Sequence, residues 1–322
     1  MIQINFIIFS KTWLTFIVLL LTSQNTLSFG LSDSTKLLND TTYTSDKSLD
    51  FFVIGDWGSG DANQLKVANA MTKEATKDPI DFIVSVGDNF YPHGVRGLNH
   101  KHWTNYFENI YTDSSLQKDW YTAMGNHDYM GSVNTQLKYY KKNPRWKSTE
   151  RYYSFSQPIP ETKDSVLFVI IDTNPFDKTM SKIQGALWLQ NKKKQLEWLD
   201  EVLENSDAKW KIVVGHHPLF TTGFRRGKMD DIRIPFLPIF EKHQVDIYFA
   251  GHDHDLQHQK PTGHTHYFVS GAGSEFRGVT QDPEMTKLAV KDLGFMRASI
   301  SENRIEVTVI NGDNKELHFF GL

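Results

Sequence analysis

The chain has 322 residues, with 35 Lys+Arg against 38 Asp+Glu and no Cys. A net charge of −3 excludes a general attraction for nucleic acid or an anionic membrane, since no basic footprint is present. The missing Cys excludes a disulfide scaffold, a zinc-thiolate site and a Cys nucleophile, so any metal must be held by oxygen and nitrogen donors.

Residues 1–32 carry one charge, Lys11, followed by the apolar stretch Trp13 to Leu21. This order predicts a signal peptide over 1–28, cleaved after Ser28. The rival expectation is an uncleaved anchor, because Ile4 to Phe9 extends the apolarity. Cleavage would leave no membrane span. Segment 29–48 is rich in Ser, Thr and Asp and reads as a flexible lead-in, with Asn39-Asp40-Thr41 as a glycosylation sequon. The ordered domain is expected over 49–322. The route implied is secretion or an endomembrane, lysosome-like lumen.

From residue 49 onward, apolar runs alternate with helical patterns, which predicts an α/β fold. Strands are expected at 51–54, 82–86, 120–124, 212–214, 247–250, 296–300 and 305–310. A helix is expected over 62–77, with Asp61 as its N-cap. A second is expected over 185–205, where Trp188, Leu189, Leu196, Leu199, Val202 and Leu203 form an apolar stripe. Lys192, Lys193 and Lys194 read as its solvated face. His100, His102, His264 and His266 are expected at the surface, and His258 just behind the site.

Five of these strands end alike. Each runs into Gly and then a residue able to ligate a metal: Gly55-Asp56, Gly87-Asp88, Gly125-Asn126, Gly215-His216 and Gly251-His252. A single Gly-Asp or Gly-His is an ordinary turn, but five in one chain are hard to leave to chance. Ligands of open α/β sheets bind outside the carboxyl ends of the strands, so all five side chains should converge. His254 follows His252 by two residues and Tyr91 follows Asp88 by three, adding an imidazole and a phenolate. Such a set suits two cations bridged by a carboxylate. Phenolate and carboxylates favour a hard ion such as Fe(III). Imidazoles and an amide oxygen favour a divalent ion, here Fe, Zn or Mn.

The blocks Gly55-Asp56-Trp57-Gly58, Gly87-Asp88-Asn89-Phe90-Tyr91, Gly125-Asn126-His127-Asp128, Gly215-His216-His217-Pro218 and Gly251-His252-Asp253-His254 resemble the five motifs of metallophosphoesterases. Tyr91 and the Asp56-Trp57 pair narrow the resemblance to purple acid phosphatases, of the small mammalian, tartrate-resistant type. It covers roughly residues 49–322. It implies two mixed β-sheets packed as a sandwich flanked by helices, and two metal ions per subunit. Asp56, Tyr91 and His254 would bind Fe(III), Asp88 would bridge, and Asn126, His216 and His252 would bind the divalent ion. His127 would face the substrate, and we expect it to be the general acid. The implied reaction is hydrolysis of phosphate monoesters at acidic pH by a metal-bound hydroxide.

Two positions depart from the family pattern. His217 stands where small members have Tyr, and the stretch Thr221-Thr222-Gly223-Phe224-Arg225-Arg226 lacks their second active-site His. His217, Arg225 and Arg226 are therefore the candidate substrate contacts, since guanidinium matches phosphate geometry. The competing readings are a phosphodiesterase or nucleotide hydrolase on the same fold, and a catalytically silent phosphatase-like scaffold.

Overall fold

A computed structural model describes residues 47–179, 187 and 190–322. The signal segment and Asn39 lie outside the described residues. The apolar runs form two mixed sheets. The first has six strands in the order β13-β12-β11-β1-β2-β3: β1 Leu49–Ile54, β2 Phe82–Ser85, β3 Asp119–Thr122, β11 Gly294–Ile300, β12 Ile305–Asn311 and β13 Glu316–Gly321. The second has seven in the order β10-β8-β9-β7-β6-β5-β4: β4 Tyr153–Pro158, β5 Ser165–Ile170, β6 Trp210–Val214, β7 Ile247–Ala250, β8 Leu256–Gln259, β9 His266–Ser270 and β10 Thr286–Val290. Strands β1, β2 and β3 run parallel, as do β5, β6, β7 and β9.

The sheets pack face to face. Phe51, Val53, Phe82 and Val84 of the first meet Phe168, Ile170, Ile212, Val214 and Phe249 of the second, all essentially without exposure. Each such side chain contributes roughly 1.5–3 kcal/mol by leaving water. The alternate residues Phe52, Ile54 and Ile83 face outward onto helix α1, Ala62–Lys77, through Val67 and Met71. Apolar residues on both faces are why these strands read as unbroken apolar runs. On the other outer face, Leu199 and Leu203 of one helix and Ile232, Phe236 and Phe240 of another cover Val169, Val213 and Tyr248. The architecture is the expected sandwich of two mixed sheets flanked by helices.

Asp61 caps α1 as expected, accepting from the backbone N–H of Asn63 and Gln64. A four-residue helix, α2, spans Asn126–Tyr129. The helix expected over 185–205 is shorter: α3 spans Lys192–Glu204. Asn191 caps it by accepting from Lys194 N at 3.0 Å, which sets its start; Trp188 and Leu189 lie outside the described residues. Helix α4, Asp230–Lys242, was not expected, because Pro235 and Pro238 lie inside it. Its buried Ile232, Phe236 and Phe240 recur every four residues, and that packing overrides the prolines.

His258 is not behind the metal site. It is buried in β8, with Nε2 2.9 Å from His266 Nδ1 and Nδ1 3.0 Å from His318 Nε2. His266 is likewise half-buried, not a surface residue, because its ring lies against Phe320.

Candidate metal centre

Parallel strands of both sheets end at one edge of the sandwich. Asp56 follows β1, Asp88 lies just past β2, and Asn126 opens α2 beyond β3. His216 follows β6, and His252 and His254 lie in the turn from β7 to β8. The two sheets are tied together beside this edge. Ser270 Oγ donates to the Val53 carbonyl at 2.9 Å, and Gly273 N donates to the Gly55 carbonyl at 3.0 Å. Glycine is required here by space. A Cβ on Gly125 would collide with the Asp88 carboxylate and backbone, and one on Gly251 with the Asp56 carboxylate. Asp56 (φ 57°), Asp88 (φ 51°) and His252 (φ 68°) adopt left-handed backbone, which Asp and His tolerate better than most residues.

The seven predicted donors converge into two groups. In the first, Tyr91 Oη lies 2.9 Å from Asp56 Oδ1, 2.9 Å from Asp88 Oδ2 and 3.3 Å from His254 Nε2. Asp56 Oδ1 lies 3.4 Å from His254 Nε2. In the second, His216 Nε2 lies 3.1 Å from Asn126 Oδ1, 3.2 Å from His252 Nδ1 and 3.5 Å from Asp88 Oδ2. Donors about 2.1 Å from one cation stand roughly 3 Å from each other, so both groups fit a metal ion. The atom common to both is Asp88 Oδ2.

Burial and mutual repulsion dominate the electrostatics. Burial, with Asp88 nearby, holds the Asp56 carboxyl well above its usual range, although His216 opposes this. Burial also raises Asp88, but His216 and then His127 outweigh it and hold that carboxyl well below the usual range. His216 is pushed up to about 9, because Asp88 and Asp56 overcome the burial that disfavours its charge. Burial, then Asp56 and Asp88, push the Tyr91 phenol well up. Burial lowers His252, reinforced by His217, His216 and Arg225. So many buried donors in contact require shared positive charge, from protons or from cations.

His127 stands beside the donors, its side chain 28% exposed. Its backbone N–H donates to Asp88 Oδ1 at 2.8 Å, and its Nε2 lies 4.0 Å from Asp88 Oδ2. The three candidate substrate contacts separate. Arg225 points into the site, with Nε 2.8 Å from His252 Nε2. Arg226 turns away toward Thr280 Oγ1 at 3.4 Å. His217 is fully buried behind His252: its Nδ1 lies 2.7 Å from Thr173 Oγ1 and its Nε2 3.6 Å from Asp177.

Two buried carboxylates received no role from the sequence. Asp128 accepts from Gly125 N at 2.8 Å, Asn89 N at 3.1 Å and Gln136 Nε2 at 2.8 Å, fastening the second motif to the third. Burial, then the nearby Asp88, raise its carboxyl to about 6. Asp253 accepts from Arg225 N at 3.0 Å and Thr221 Oγ1 at 2.5 Å, fastening the loop after His216 to the turn holding His252 and His254. Their positions inside the motifs, Asp128 ending one and Asp253 between two histidines, were the available signal.

Residues 49–256 match the family model for the calcineurin-like phosphoesterase. Purple acid phosphatase 7 of Arabidopsis thaliana is 37% identical over 94% of each chain. Tartrate-resistant acid phosphatase type 5 of Homo sapiens is 30% identical over 84% of this chain and 89% of its own. Among solved structures, GAP50, described as the anchor in the inner membrane complex of Plasmodium, superposes with a TM-score of 0.75 at 24% identity, covering 85% of this chain and 88% of that one. The purple acid phosphatase of yellow lupin seeds superposes with a TM-score of 0.62 at 16% identity, covering 86% and 54%. At these identities the solved structures speak for the fold alone.

Proposed function

Since the chain belongs to the calcineurin-like phosphoesterases, and within them to the purple acid phosphatases, we propose that it is a secreted or lumenal acid phosphatase acting on phosphate monoesters. The observation that carries this reading is the Asp88 oxygen shared by two donor groups, 2.9 Å from Tyr91 Oη and 3.5 Å from His216 Nε2.

Asp56, Tyr91 and His254 would hold Fe(III), and Asn126, His216 and His252 a divalent Fe, Zn or Mn ion, with Asp88 between them. When bound, the cations supply an acidified water and Lewis-acid charge for the phosphate oxygens. The chain's own residues do the rest. Arg225 pairs with the phosphate, its planar guanidinium matching two oxygens. As the oxygen of water bonds to phosphorus and the ester P–O bond breaks, His127 gives the proton on Nε2 to the leaving alkoxide. The products are an alcohol and inorganic phosphate. His217 supports the His252 ring from behind, where their centroids lie 4.3 Å apart. Arg226, directed elsewhere, has no part in this reading.

Residues 1–28 direct the chain into the secretory route and are then removed, so the mature protein starts near Phe29 and carries sugar at Asn39. Among the described residues no helix is long and apolar enough to cross a membrane. Sequencing the N-terminus of secreted protein tests this, and an intact Met1 in a membrane fraction overturns it.

The test of the activity is metal analysis of the purified protein, with turnover of monoesters and diesters across pH. Two metal equivalents and acid monoester hydrolysis support the reading. Preferred diester cleavage would move the chain to the diesterases, and a metal-free protein without turnover would leave a silent scaffold.

A further inference from the structure

Charge is unevenly spread over this chain, and its net value of −3 conceals a local surplus. Residues 138–147 carry Lys138, Lys141, Lys142, Arg145 and Lys147, and residues 92–103 carry Arg96 and Lys101; neither segment contains an Asp or a Glu. The fold lays the two segments side by side. The Trp103 and Tyr139 rings stack with centroids 3.4 Å apart, and Lys142 Nζ donates to Asn99 Oδ1 at 2.5 Å. Nearby, Ser132 N donates to the Val95 carbonyl at 2.7 Å.

Two of these cations are neutralised. Arg145 pairs with Glu108 at 2.9 Å and Lys147 with Asp119 at 3.1 Å. Glu108 is engaged further, by Tyr139 Oη at 2.9 Å and Asn143 Nδ2 at 2.6 Å. The other five, Arg96, Lys101, Lys138, Lys141 and Lys142, are exposed, and none of them forms an ion pair among the described residues. One unpaired surface Lys is ordinary, but five cations from two adjoining segments make a basic footprint that the whole-chain charge hides. An aromatic ring stands among them. In the single helical turn Tyr139–Lys141, Tyr139 is buried against Trp103, whereas Tyr140 is 42% exposed. Lys141 Nζ lies 5.9 Å from the Tyr140 ring centroid.

We propose that this face, which presents Tyr140 with Arg96, Lys101, Lys138, Lys141 and Lys142, docks on a lipid bilayer carrying anionic phospholipid headgroups. The charge sets the sign of the partner, and two features set its class. Four of the five cations are Lys, a compact and strongly hydrated charge drawn to a charged sheet without demanding one geometry; Arg forks serve the fixed recognition of single phosphates. An outward Tyr suits headgroup level, with its ring in the interface and its hydroxyl in water. Beside it, the Lys stems can lie along the apolar boundary while their ammonium groups stay among the headgroups. The expectation drawn from net charge, that no anionic membrane attracts this chain, thus describes the molecule as a whole and not this face. The face contains none of the seven metal donors, and the proposal does not rest on the phosphatase reading.

The test measures co-sedimentation of the purified metal-loaded protein with vesicles of phosphatidylcholine alone and of phosphatidylcholine mixed with phosphatidylserine. We expect binding to the mixed vesicles only, weakening as salt is added. Lys138→Gln/Lys141→Gln/Lys142→Gln should weaken it roughly 100-fold, and Tyr140→Ala should weaken it without changing the salt dependence. Lys73→Gln/Lys77→Gln/Lys163→Gln removes the same charge from exposed positions elsewhere and should bind as the native protein does. Native far-ultraviolet dichroism of each variant shows that the fold is kept. Equal binding to neutral vesicles, equal weakening in both triple variants, or no vesicle binding at all overturns the proposal. Retention on immobilised heparin without vesicle binding also overturns it and gives the face to a sulfated glycan. None of these outcomes touches the phosphatase reading, which stands or falls on turnover.

Discussion

His127 Nδ1 lies 2.6 Å from the backbone carbonyl oxygen of Pro92. A carbonyl can only accept, so Nδ1 carries the hydrogen, and Nε2 is left as the atom able to exchange a proton with a ligand. This orientation suits a general acid. An alkyl alkoxide leaves poorly without a proton, whereas nitrophenolate leaves without one. General acid help is worth ~10²–10⁴-fold. His127→Ala should therefore slow alkyl phosphates far more than p-nitrophenyl phosphate, with both metals retained. Equal slowing of the two substrates would assign the residue to positioning.

Asp88 is expected to be indispensable. Losing a residue that only supports a metal ligand costs 10–100-fold in metal affinity or activity, so a shared ligand should exceed that. Asp88→Asn keeps the shape and removes the charge. We expect it to bind less than two equivalents of metal by elemental analysis, with turnover at least ~100-fold lower. Full metal occupancy with native turnover would overturn the bridging role proposed for Asp88.

Tyr91 should give the protein colour. A phenolate on Fe(III) absorbs visible light by charge transfer, and the Tyr91 oxygen sits 2.9 Å from each of two carboxylates. Tyr91→Phe should abolish the band while the far-ultraviolet dichroism stays native. An active, colourless and iron-free native protein would refute the Fe(III) assignment.

Acid should weaken the fold through the His258 cluster. Burial, then His266 and His318, lower His258 to about 3. Burial, then Lys260 and His264, lower His266 to about 4. Burial lowers His318 although Glu316 opposes it, and Lys287 faces both His258 and His266. Unfolded histidine titrates near 6.5. Below that pH the unfolded chain takes up protons that the folded chain refuses. Stability is therefore full above about 6.5 and falls as the pH drops toward 4. Each proton of difference is worth about 1.4 kcal/mol per pH unit. His258 stacks on Phe268 at 4.2 Å, so His258→Phe keeps a ring in that stack and removes the titrating group. Urea unfolding at pH 7.5 and 5.0 should show a smaller loss in this variant than in the native protein.

The strand ends were legible because chain direction, glycine and donor type appear together at each of them. Asp56, Asp88, Asn126, His216 and His252 needed no long-range information beyond the rule that parallel strands share an end. Their division between two sheets was not written in any local pattern. It depends on β9 lying beside β7 while β11 pairs with β1, contacts between distant parts of the chain. Strand β4 alternates half-buried and exposed residues at a sheet edge, and α4 hides behind two prolines, so neither announced itself. The neighbourhood of Asn99 and Lys142 was invisible for the same reason, since only the folded loops bring them together.

The left-handed backbone at Asp56, Asp88 and His252 sets the chemistry of the site against the comfort of the chain. Glycine would occupy each of these conformations with less strain, and each conformation costs a non-glycine residue on the order of 1 kcal/mol. Every such replacement would also delete a donor. A lineage released from the need for catalysis could relax the backbone at these three positions and lose its metal, although Asp56 and Asp88 also accept from the backbone N–H of His252 and His127, so the relief is offset by buried donors left unpaired. Glycine there would mark a relative that keeps this architecture after abandoning its reaction.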